Sequence, residues 1–125
     1  MQIATKTTVI SLLNDDILLV KFLDNDEEID LQEAKAQLDA ANTISGGKKM
    51  LVLIDARQSI HEFSNDAKEF IANVNVKKAE AMLVKELHQR IIATFYLKLS
   101  GSKHAHPVKV FSNETEAINW LLSFK

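Results

Sequence analysis

Apolar positions along the chain change period several times, and each change marks a new element. Thr7 to Leu13 and Ile17 to Leu23 are β-rich runs separated by Asn14-Asp15-Asp16, which predicts an antiparallel hairpin. At Asp30 the pattern becomes helical. Asp30 is a suitable N-cap, with Ile29 before it as a staple residue and Glu33 at the capping-box position. Leu31, Ala34, Leu38 and Ala41 then share one side, and Gly46-Gly47 stops the helix. Met50 to Ile54 is apolar at every position, as expected of a central parallel strand with both faces buried, and it ends at Asp55-Ala56-Arg57.

Ser64 opens a second, short helix carrying Ala67, Phe70, Ile71 and Val74. The stretch from Val76 to Ser100 reads most simply as one long helix. The compact apolar run Ala79 to Val84 instead predicts a buried strand, and Leu87, Ile91, Phe95 and Leu99 predict a separate helix from about Glu86 to Ser100, ended by Gly101. Ser102 to His106 reads as a loop. Val108, Val110 and Phe111 form a last strand, Ser112-Asn113 turns it, and Glu116 stands at capping-box spacing from Asn113. Ala117, Ile118, Leu121 and Leu122 make the stripe of a closing helix, with Trp120 beside it. The order β-β-α-β-α-β-α-β-α predicts one α/β domain over residues 1–125, with an opening antiparallel hairpin, a mostly parallel sheet and right-handed crossovers, about five strands and four helices in all.

Composition narrows the function. With 46% apolar and 26% charged residues, the chain of 125 residues can bury a core by itself. A net charge of −2 gives no electrostatic case for nucleic acid. The absence of cysteine removes disulfides, thiolate nucleophiles and thiolate metal sites. No signal region or membrane-length apolar run is present, so no membrane span and a cytoplasmic location are expected.

The element order, the strand Leu51-Val52-Leu53-Ile54-Asp55-Ala56-Arg57 and the closing Val110-Phe111, Glu116-Ala117 and Trp120-Leu121 unit resemble the SpoIIAA-like fold. This is the fold of STAS domains, the anti-sigma-factor antagonists, and the resemblance is nearest to uncharacterised bacterial single-domain STAS/SEC14-like proteins. It implies a non-enzymatic regulatory or protein-interaction domain without a cofactor. The alternative that it implies is a small-ligand or lipid carrier of the SEC14-like type. Antagonists carry Asp-Ser-Ser/Thr-Gly at the second helix, with a phosphorylated serine. The matching stretch here is Glu62-Phe63-Ser64-Asn65-Asp66, which keeps a serine and lacks the flanking Asp and Gly, and so stands outside the phosphoserine-switch branch.

Asp55 and Arg57 are the first candidates for a ligand or partner site, because open α/β sheets bind ligands at the carboxyl ends of their strands. The alternative is that they pair with each other. Ser64 is the third candidate, by position, and reads otherwise as an ordinary N-cap. Ile92 and Tyr96 lie on the flank of an apolar helix face that Ile91, Phe95 and Leu99 already fill, which marks them as candidates for self-association or a protein partner. They can equally be covered by the last helix. His104 and His106 form a His-x-His pair in a loop without a third ligand, so they read as exposed loop residues and no metal is expected. His61 and His88 have no acid partner in the sequence. The acidic run Asp24-Asn25-Asp26-Glu27-Glu28 lacks the calcium-loop pattern and reads as a solvated turn. Lys48-Lys49 and Lys77-Lys78 read as helix exit and strand entry.

Overall fold

The computed structural model describes residues 1–86 and 106–125. Its strands are β1 (Gln2–Ala4), β2 (Thr8–Leu12), β3 (Ile17–Phe22), β4 (Met50–Asp55), β5 (Lys77–Leu83) and β6 (Val108–Phe111). Its helices are α1 (Leu31–Ser45), α2 (Asn65–Ala72) and α3 (Glu114–Leu122). The strands form one sheet in chain order. β1, β2 and β3 pair antiparallel, and β3 to β6 pair parallel. In the β2–β3 turn, Asn14 Oδ1 accepts from the amides of Asp16 and Ile17, which explains why an Asn begins it.

The expected fold class holds, with one more strand than expected. β1 gives no signal in the sequence because three residues with a single large apolar side chain, Ile3, are too short to show a period. The strand expected at Ala79 to Val84 is present as β5, two residues earlier at its start. The helix expected from about Glu86 to Ser100 falls almost wholly outside the described residues.

All six residues of β4 are buried. On one face of the sheet, Ile10, Leu18, Phe22, Val52 and Met82 pack with Ala34 of α1 and Ala67 of α2. On the other, Leu51, Leu53, Ala79, Ala81 and Leu83 pack with Ala117 and Leu121 of α3. Small Ala79 and Ala81 let this helix approach the sheet. α3 packs mainly on β4, β5 and β6, and Ile17 and Leu19 of β3 join the same cluster. Leu122, expected in the buried stripe, is exposed.

Each described helix starts on a side-chain cap: Asp30 accepts from the Glu33 amide, Ser64 from Ala67 and Asn113 from Glu116. Gly46 closes α1 in the left-handed conformation, with φ +67°. The capping-box residue Glu33 turns elsewhere. Its buried Oε2 accepts from the Thr7 amide and hydroxyl, the Thr5 hydroxyl and Gln37 Nε2, tying α1 to the β1–β2 connection. Burial pushes the Glu33 carboxyl up, but the bonds from Thr7 and Thr5 outweigh it and hold it below the ordinary carboxylate value. Glu33→Ala leaves the buried Thr7 groups unpaired and should cost about 2–3 kcal/mol. Urea denaturation should show a lower midpoint with an unchanged slope.

Candidate functional site

Asp55 is the last residue of β4 and sits between Lys21 of β3 and Leu83 of β5. It is 8% exposed. Its Oδ1 accepts from the Arg57 amide at 3.1 Å and from Nε at 3.0 Å, and its Oδ2 accepts from Nη2 at 2.9 Å. Glu114, in the first turn of α3, adds a longer contact to Arg57 Nη2 at 3.7 Å. Burial raises the Asp55 pKa, but the Arg57 hydrogen bonds and charge bring it below the ordinary range, while Arg57 is pushed up in return. This bidentate pair floors a polar basin of about 600 Å³ with Lys21, Asp24, Gln58, Lys85 and Glu86 around it. The basin offers charges of both signs and suits polar contact more than proton transfer.

Ser64 caps α2 from a fixed position. Its amide donates to the Ile29 carbonyl at 3.0 Å, and the Ile29 amide donates to Glu62 at 2.9 Å, forming a short parallel bridge. The Ser64 hydroxyl donates to Asp66 Oδ1 and accepts from the Ala67 amide at 3.3 Å. Asp66 also accepts from that amide, at 3.0 Å.

A third site was not legible in the sequence. Glu80, 5% exposed, stands in the middle of β5. Its Oε1 lies 2.9 Å from Lys77 Nζ and 3.1 Å from His106 Nε2. Residues three apart in a regular strand face opposite ways. Here the register slips, pairing Lys77 with Met50 and Glu80 with Val52, so both side chains point to the helix-covered face. His106, expected in an exposed loop, has a side chain only 3% exposed. Burial raises the Glu80 pKa, but Lys77 and His106 overcome this and lower it to about 2. A lone acid inside an apolar run, with bases at its two ends in sequence, was the available signal, since a buried charge needs a partner.

Glu80 and Lys77 border an apolar cavity of about 120 Å³ between the sheet and helices α1 and α2. Val20, Val52, Ile54 and Met82 supply its floor, Leu38 and Ala41 one wall, and Phe70 and Ile71 the other. The exposed lining residues Asn42 and Lys48 put its mouth at the amino ends of β4 and β5. That is the edge opposite to Asp55 and Arg57.

His61 is buried, with its ring nitrogens 2.7 Å from the Glu27 carbonyl and 2.8 Å from that of Leu23, so it pins the acidic turn. Ile92, Tyr96, His88 and His104 lie outside the described residues. Among the described residues, no three His, Asp or Glu side chains gather as a metal site, and no helix is long and apolar enough to cross a membrane.

Ser64→Ala should cost about 0.5–1 kcal/mol, at the low end for a cap because Asp66 retains the Ala67 amide; thermal denaturation measures it. Phosphopeptide mapping should find Ser64 unmodified, since a phosphate there would meet Glu62, Asp66 and Glu69. Because the Glu80 pKa falls on folding, its stabilising contribution is complete above about pH 5 and is lost as the pH drops toward 2. Stability measured from pH 7 to pH 3 should therefore decline, and Glu80→Gln should be weaker at pH 7 with a flatter profile.

None of the curated proteins compared matches the sequence. Among solved structures, the chain is similar to an uncharacterized protein of the DUF3478 family with a SpoIIAA-like fold from Shewanella loihica PV-4. The TM-score is 0.59 at 17% identity, covering 91% of each chain. A protein of unknown function from Arthrobacter sp. FB24 aligns at 20% identity over 90% of this chain and 97% of its own, with a TM-score of 0.34. The family model described as "Domain of unknown function (DUF7793)" matches residues 11–125. The fold is thus SpoIIAA-like, and the chain belongs to the DUF7793 family.

Proposed function

We propose that the domain works by binding, as a regulatory or protein-interaction module without catalysis. The observation that carries this reading is the apolar surface at the carboxyl end of α3. Phe111, Trp120 and Phe124 form an aromatic ladder, with ring centroids 5.6 and 4.9 Å apart. Phe124 and Leu122 beside it are each 37% exposed. Lys125 meets Asp16 at 3.1 Å, which brings this end of α3 against the hairpin turn, where Leu12 and Leu13 are also exposed. Aromatic and aliphatic side chains gathered this way serve as anchors for a partner.

The acids support the same reading. Glu33, Asp55 and Glu80 are the buried carboxylates of the described residues. Each is engaged by neighbouring donors and held below its ordinary pKa, whereas a general base at neutral pH needs a value near 7. Affinity capture from cells of the source organism, with wild type and a Leu122→Ser/Phe124→Ser variant as matched baits, tests the proposal. A stoichiometric partner held by the wild type and lost by the folded variant is expected. Equal recovery by both baits, or none above background, overturns it.

A second reading, binding of a small molecule, is favoured by the apolar cavity under α1 and α2. An engineered apolar cavity of about 150 Å³ accepts benzene-sized ligands, and about 120 Å³ is of that order.

A further inference from the structure

We infer that the cavity under α1 and α2 is a site for a small amphiphilic anion, an apolar body with one carboxylate, that enters at the amino ends of β4 and β5. This rests on the small-molecule reading above and adds the charge and the orientation of the ligand. Two lysine pairs far apart in the sequence meet there. Parallel pairing of Met50 with Lys77 brings Lys48-Lys49, just before β4, beside Lys77-Lys78 at the start of β5. Of these lysines, Lys77 pairs with Glu80, which His106 also contacts. Lys49 bonds to the side chain of Asn75. Lys48 is exposed, lines the cavity and makes no ion pair among the described residues.

The floor behind this rim is apolar, so an inserted chain would bury its tail over Val52 and Met82 and leave its head at Lys48. A free acid with an apolar tail satisfies both ends. A neutral molecule satisfies only the floor, and a polyanion satisfies only the rim. The size of the cavity limits the tail to a short or branched chain or a single ring.

The test is titration of the isotope-labelled full chain with hexanoate and with hexan-1-ol near pH 7, monitored by two-dimensional NMR. Both should shift the Val52 and Met82 amides, with hexanoate binding about three- to fivefold more tightly, an advantage that shrinks with added salt. Lys48→Gln, at an exposed position, should bring hexanoate down to the level of hexan-1-ol and leave the alcohol unchanged. Equal binding of acid and alcohol to the wild type would overturn the anion assignment while the small-molecule reading stands. If neither compound moves those amides, both are overturned.

Discussion

Burial of β4 on both faces is the constraint on which the rest of the structure depends. Met50 to Asp55 has no exposed side, and its two edges are filled by β3 and β5 in parallel register. Each large apolar side chain removed from water there contributes about 1.5–3 kcal/mol, but only if both faces are roofed. Helices must therefore lie on both sides of the sheet. Among the described residues, α1 and α2 cover one face and α3 the other.

Charge is handled inside this frame by compensation. Asp55 is neutralised by Arg57, Glu80 by Lys77 with His106 bonded to the same oxygen, and Glu33 is solvated by threonine hydroxyls and an amide in place of water. Burial alone would raise the pKa of each of these acids, yet all three are lowered, so the neighbouring donors outweigh the loss of solvent. The carboxyl edge of the strands, where open sheets commonly bind ligands, carries such a pair at the base of a polar basin. At the amino edge, Lys48 lines an apolar recess and makes no ion pair among the described residues.

The local signals are readable wherever one short stretch determines the outcome. The β4 run, the caps at Asp30, Ser64 and Asn113 and the glycine stop after α1 each depend on a few adjacent residues. The Asp55–Arg57 pairing is likewise legible as one alternative, because the two residues are neighbours in the chain. Features that need two distant segments are not visible. His106 reads as a loop residue until β6 pairs with β5 and sets it against Glu80. Lys48 and Lys77 read as separate element ends until the β4–β5 register joins them. A single slipped pairing decides which face Glu80 occupies, and no periodicity reports a slip.

The central proposal is that the domain works by binding. Native mass spectrometry of the protein isolated gently from its own cells tests this most directly. The account predicts that a noncovalent mass accompanies the 14.0 kDa chain, a protein partner or a small acid, and leaves it at low collision energy. The bare chain alone, at cellular concentration and low salt, would contradict it.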